Sequence, residues 1–223
     1  MATAGRRATI AAARPRKERA ENAAMRRRQL VAAAARSIVE NGLARTTLAT
    51  VSAASGLSQG VAVFYFGTKE QLFAEVLRQQ YEAYQTLWRT ALAGAGSQPA
   101  EQLAALIRAD FDPSVCNADA LAIWHAFWGE ASARPLYAEI SEHFDNERAE
   151  TMRAVCARLL GASERSAAEI GAGIDALTDG LWLRIHLSNG ALSAADGLKL
   201  AADFVVTVFP QHTDHLAAAL LRT

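Results

Sequence analysis

The chain has 223 residues, 51% hydrophobic and 21% charged, with 23 Lys and Arg balanced by 23 Asp and Glu. That is enough apolar material for one large domain or two modest ones, and no apolar run approaches the roughly 18 residues of a membrane span. Two cysteines, Cys116 and Cys156, are too few for a disulfide framework and read as reduced, buried thiols of a cytoplasmic protein.

Alanine abounds, proline is scarce and period-two alternation is almost absent, so an all-α protein is expected. The zero net charge hides an asymmetry. Residues 1–75 hold 12 Lys and Arg against 5 Asp and Glu, a net +7, and residues 76–223 hold 11 against 18, a net −7. A basic head on an acidic body suits a nucleic-acid partner, although basic N-termini are also common without one.

In chain order, residues 1–24 read as a basic flexible arm. Arg6, Arg7, Arg14, Arg16, Lys17 and Arg19 are scattered there among Ala and Thr, and residues 9–13 are too short and weak an apolar stretch for a signal peptide. The first helix is expected from Met25 or Arg26 to Asn41, with Gly42 just past its end and Leu30, Ala34, Ser37 and Ile38 on one face. Arg26, Arg27 and Arg28 would open it. Cations at a helix N-terminus oppose its dipole, so a phosphate partner and a solvated face are equally open readings.

Residues 46–73 are the centre of the chain. Thr46 or Thr47, Ser58 and Thr68 are each placed to cap a short helix, and Gly56 supplies the turn between the first two. Two short helices joined by a glycine turn read as a helix-turn-helix, whose second helix enters the DNA major groove. Leu48, Val51 and Ala54 should seat the first helix of the pair. The run at 61–66, VAVFYF, favours a strand by propensity alone; the flanking caps argue for a helix. In that helix Ala62 and Phe66 turn inward, and Gln59, Gly60, Val61 and Val63 face the groove. Gln59 can hydrogen-bond an adenine edge, and the valines can touch thymine methyls. Thr47, Tyr65 and Lys69 would position the head on phosphates.

The Thr46-Thr47 pair, Val51, Gly56-Leu57-Ser58, Gly60, Tyr65-Phe66 and Lys69-Glu70 resemble the DNA-binding motif of TetR-type bacterial repressors. That resemblance implies a DNA-binding head at 25–73 and an effector-binding, dimerising body at 74–223. It also implies a polar or aromatic residue where Val63 stands, so readout here would lean on apolar contacts and DNA shape.

Beyond Thr68 a helix of about 40 Å is expected to residue 93, with Leu72, Val76, Gln79, Ala83 and Leu87 as its stripe and Tyr81, Tyr84 and Trp88 as aromatic bulk. Further helices are expected at 99–110, from 114 or 117 to 133, at 135–160, at 166–187 and at 193–208. The last two resemble the pair with which TetR-type proteins form a four-helix dimer bundle; an intramolecular core is the alternative. Phe111-Asp112, residues 122–128 (AIWHAFW), 176–184 (ALTDGLWLR) and Leu187-Ser188 resemble the choline-sensing BetI branch. That implies a repressor of choline-to-betaine genes released by choline, with other regulons and effectors, or no effector at all, left open.

A quaternary ammonium requires an aromatic box. Trp124 and Trp128 share a helix face with Phe127 beside them, Trp88, Tyr84 and Trp182 are further walls, and Asp112 or Glu130 could supply the countercharge. No enzyme reading gains support. His125 sits on an apolar face as core histidines do, neither cysteine has metal-ligand spacing, and no phosphate loop or nucleophile elbow is present, so no cofactor or metal is expected.

Overall fold

The computed structural model describes residues 16–161 and 166–220. Among them are ten α-helices, one 3-10 turn and no strand. The head holds α1 (Arg16–Arg45), α2 (Leu48–Ser55) and α3 (Gln59–Phe66); α4 (Lys69–Gly94) leads into the body. There follow α5 (Pro99–Asp110), α6 (Ala118–Ala131), α7 (Pro135–Leu160), α8 (Ala167–Leu187), α9 (Ala194–Val208), the turn Pro210–His212 and α10 (Thr213–Leu220).

Short polar side chains fix where most helices begin. The hydroxyls or amide oxygen of Thr47, Ser58, Thr68, Asn117, Ser166 and Ser193 each accept a first-turn backbone N–H, satisfying donors that a helix start leaves orphaned. Thr46 plays another part: it is buried, donates to Gly42 O at 2.9 Å and pairs with Ser37 Oγ at 3.1 Å. Gly42 (φ 74°) kinks the end of α1, and Gly56 (φ 70°) makes the left-handed turn between α2 and α3.

One continuous core runs from Leu30 in α1 to Leu220 in α10. α1 packs on α2, α4 and α6; α8 packs on α7, α9 and α6. α7 and α8 pack closely at Gly171, where a Cβ would stand 3.0 Å from Met152 Cγ.

Several expectations need correcting. α1 starts at Arg16, nine residues before Met25, so Arg26, Arg27 and Arg28 lie well inside the helix and face no exposed N-terminus. Arg6, Arg7 and Arg14 of the expected arm lie outside the described residues. Val51 is buried, but Ala54 is exposed and Ser52 takes the inward place, its hydroxyl donating to Leu48 O. On α4, Gln79 and Ala83 are exposed. Leu72 and Val76 are buried as expected, and the rest of the buried face is formed by Phe73, Leu77, Tyr81 and Trp88, because α4 is packed on by α1, α5, α6 and α7. α10 had no capping signal in the sequence; it packs on α5 and α9.

Candidate functional sites: an outward helix and an aromatic cavity

α3 rests on Ala62 and Phe66 and turns its other side out. Gln59 and Gly60 are exposed, Val61 is half-buried and Val63 is 46% exposed. Beside Val63 stands Phe64, 81% exposed, with Tyr65 packed edge-on against it at 5.1 Å. Phe64 escaped the sequence reading because an apolar residue in an apolar run looks like core. A phenylalanine left in water on an eight-residue helix is an unusual expense without a partner surface.

The flanking polar residues divide. Thr47, at the start of α2, and Arg26 are exposed. Arg27 is held internally: Nη2 lies 2.9 Å from Glu75 Oε2, and its guanidinium covers the Phe66 ring at 4.7 Å. Lys69 is held likewise, since Nζ donates to Leu43 O at 2.9 Å and sits over the Phe73 ring. Both side chains brace the fold, and the Arg27 side chain keeps 43% of its surface exposed.

In the body, α4, α5, α6, α7 and α8 enclose a cavity of about 370 Å³. Its rings form a connected set. Trp124 lies 4.7 Å from Tyr81, 5.9 Å from Trp128 and 5.9 Å from Trp182, while Tyr84 meets Trp182 at 5.8 Å. Trp182 Nε1 donates to Asp110 O at 2.7 Å, which fixes that ring.

Behind the rings is a buried ionic knot. Arg148 Nη2 reaches both Asp110 oxygens at 3.1 Å, Tyr84 donates to Asp110 Oδ1 at 2.6 Å, and Arg148 Nε lies 3.5 Å from Asp175 Oδ1. Burial pulls the Arg148 pKa down, but Asp110, Tyr84 and Asp175 more than offset it, so the guanidinium stays charged. Its Nη1 and the Trp124 Nε1 are buried without a hydrogen-bond acceptor.

Three further carboxyls line the cavity. Desolvation pushes Asp175 up to about 6, with Arg148 pulling the other way. Asp145, which accepts from Tyr81 at 3.4 Å, is also raised to about 6 by desolvation. Asp179 is raised by crowding from the protein and by the like charges of Asp175, Asp110 and Asp145. Asp145 and Asp179 are nonetheless open to water at the cavity mouth, which weakens the push on them relative to Asp175.

Of the expected ligand residues, Trp124, Trp128 and Trp182 line the cavity. Phe127 does not: one residue from Trp128 is 100° around the helix, and its ring packs on Phe73 and Tyr137 toward the head. Trp88 lies behind the knot, under the Arg148 guanidinium at 5.7 Å. Asp112 accepts from Ser114 in the loop after α5, and Glu130 pairs with Arg134; neither lines the cavity. The carboxylates that line it are Asp110, Asp145, Asp175 and Asp179, which in sequence look like ordinary solvated helix residues. His125 lies outside the lining, against His186 at 4.9 Å and the edge of Trp128, and burial lowers its pKa.

Residues 30–76 match the bacterial regulatory proteins of the tetR family, and residues 99–210 match the C-terminal domain of BetI-type transcriptional repressors. The HTH-type transcriptional regulator BetI of Burkholderia cenocepacia is 34% identical over 182 residues, covering 81% of this chain and 92% of the relative. The BetI of Stenotrophomonas maltophilia is 32% identical over 181 residues, covering 81% and 91%. Among solved structures, a transcriptional regulator from Pseudomonas aeruginosa PAO1 aligns with a TM-score of 0.76 at 21% identity, over 86% of this chain and 94% of that one. A regulator from Saccharomonospora viridis, solved in complex with choline, aligns at 0.73 and 17% identity, over 82% and 96%. An outward helix-turn-helix on a body that encloses a cavity is the plan of a ligand-responsive DNA-binding regulator. The chain belongs to the TetR family of transcriptional regulators, in its BetI-type branch of repressors.

Proposed function

We propose that the protein represses transcription by binding a palindromic operator as a homodimer and is released by a quaternary ammonium, choline being the first candidate. The observation that carries this reading is the cavity. Its rings present negative π-faces, which attract a weakly hydrated cation by about 0.5–2 kcal/mol per ring, and four carboxyls surround them against one guanidinium. The choline found in the Saccharomonospora regulator is consistent with this.

The proposed division is a head at 25–73 and a body at 74–223, acting on the nucleoid in the cytoplasm. Gln59, Gly60, Val61 and Val63 would read bases; Thr47, Tyr65 and Arg26 would hold backbone. Leu183, Leu187, Leu200 and Phe204 lie exposed on the outer faces of α8 and α9, Leu187 at 71%. That is more apolar side chain than a solvated helix pair needs, and it suits a four-helix dimer bundle. Twofold symmetry would then match the palindrome.

Ligand between α4 and α6 would act on the head because α1 packs on both. It can release DNA only by binding the released state more tightly. Titration calorimetry, operator-binding assays and tryptophan fluorescence test this together. Choline should bind, quench emission and weaken operator affinity. Trp128→Ala, at a half-buried ring, should lose these responses while still binding DNA; Trp124 is so buried that Trp124→Ala would cost about 3–5 kcal/mol of stability and confuse the result. Absence of binding by choline and related quaternary amines at millimolar concentration would overturn the ligand and leave the repressor standing.

A further inference from the structure

The cavity is larger and more acidic than a single quaternary ammonium requires. Choline has seven non-hydrogen atoms, which at roughly 20 Å³ each fill on the order of 140 Å³ at interior packing density. The space available is about 370 Å³. The charge also exceeds the need. Arg148 is committed to Asp110 and approaches Asp175, and among the described residues no other Lys or Arg lines the walls, so Asp145 and Asp179 have no ion-pair partner there.

These two surplus carboxyls sit in a different setting from the rings. Trp124 and Trp182 are buried, whereas Asp145 on α7 and Asp179 on α8 are exposed where the cavity meets solvent. The carboxyls do not gather around a point: among the described residues no three His, Cys, Asp or Glu side chains could hold a metal ion. A dry, ring-lined interior suits a poorly hydrated quaternary nitrogen, and a wet, carboxylate-flanked mouth suits a compact, strongly hydrated ammonium.

Building on the proposed quaternary-amine site, we propose that its ligand class is the organic dication: a trialkylammonium head in the tryptophan cage joined by a short alkyl chain to a second, protonated amine between Asp145 and Asp179. One nitrogen would then meet the π-faces and the other the two unpaired carboxylates, and the chain would fill the volume that choline leaves.

The test uses matched probes on the full-length protein: choline, (3-aminopropyl)trimethylammonium and its four-carbon homologue (4-aminobutyl)trimethylammonium, whose primary amines are protonated at the pH of the test. In calorimetry at low ionic strength and pH 7.5, at least one dication should bind ten-fold or more tightly than choline, and added salt should shrink that ratio. Asp145→Asn combined with Asp179→Asn should abolish the advantage, weakening the dications at least ten-fold more than it weakens choline. Both replacements are isosteric and at exposed positions, and Asp179→Asn alone, which should remove part of the advantage, serves if the double variant proves unstable. Dications no tighter than choline would overturn the inference while leaving the quaternary-amine reading intact. No binding by any of the three would overturn both. A dication that binds with the expected ratio but leaves the operator complex unchanged would uphold the ligand class and overturn the proposed induction.

Discussion

The head and the body handle polarity in opposite ways. In the head, polar groups are paired close to home: Thr47 caps α2, Arg27 holds Glu75, and Lys69 closes on Leu43 O. What is left over is pointed outward and is partly apolar, with Phe64 and Val63 in solvent. The body turns its unresolved chemistry inward, setting Arg148 and Asp110 beside tryptophans and leaving donors unpaired. A surface that must meet DNA is built by exposing what a fold normally hides. A site that would hold a cation, as proposed for the cavity, is built by enclosing what a fold normally exposes.

The largest effect that would sharpen this contrast comes from breaking the knot. Arg148→Met strands Asp110 in an apolar wall and should lower unfolding free energy by about 3–5 kcal/mol in denaturant titration. Arg89→Ala removes an exposed partner of Glu147 on the same α4–α7 seam and should cost less than about 1 kcal/mol. Equal losses would mean that the knot is not special. Next, Gln59→Ala on the exposed face of α3 should weaken operator binding by about 1–3 kcal/mol and relax preference at one base per half-site, with the melting temperature unchanged. A change in melting temperature would place Gln59 in the fold instead.

The smallest effect concerns pH. The folded Asp175 titrates at about 6 against an ordinary value near 3.9, so the folded state binds its proton more tightly than the unfolded state does. Its destabilising contribution is absent below about pH 4, grows as pH rises toward 6 and is constant above. Asp175→Asn should therefore raise the melting temperature at pH 7.5 and leave it nearly unchanged at pH 4. A cation drives the same proton off, so choline affinity in the unmodified protein should rise between pH 5 and 7 and then level.

The head was legible because its information is local. Thr47, Ser58, Thr68 and Gly56 announce their roles within three residues of where they act, and helical structure at 61–66 followed from those caps against strand propensity. The cavity was half legible. Two tryptophans four apart must share a face, so Trp124 and Trp128 came together; the same reasoning cannot tell that Phe127 turns toward the head or that Trp88 lies behind Arg148. The carboxylates were invisible, since Asp145, Asp175 and Asp179 become a site only when α7 lies against α8. The early start of α1 was missed because its first turns have no apolar stripe, and α10 because it has no cap.

Gly171 gives the cavity a handle outside its own walls. With no side chain there, α8 settles onto Met152 and the backbone at Arg153, while Asp175, one turn further along, faces Arg148 across the same seam. The width of the cavity is thus tied to an atom that is missing. A methyl at that position would press first on the Met152 side chain, and whatever Met152 does not yield would ease α8 off α7 and widen the space between the carboxylates with every lining residue unchanged. The size of a cavity can in this way change through a helix contact while the chemistry of its walls stays fixed.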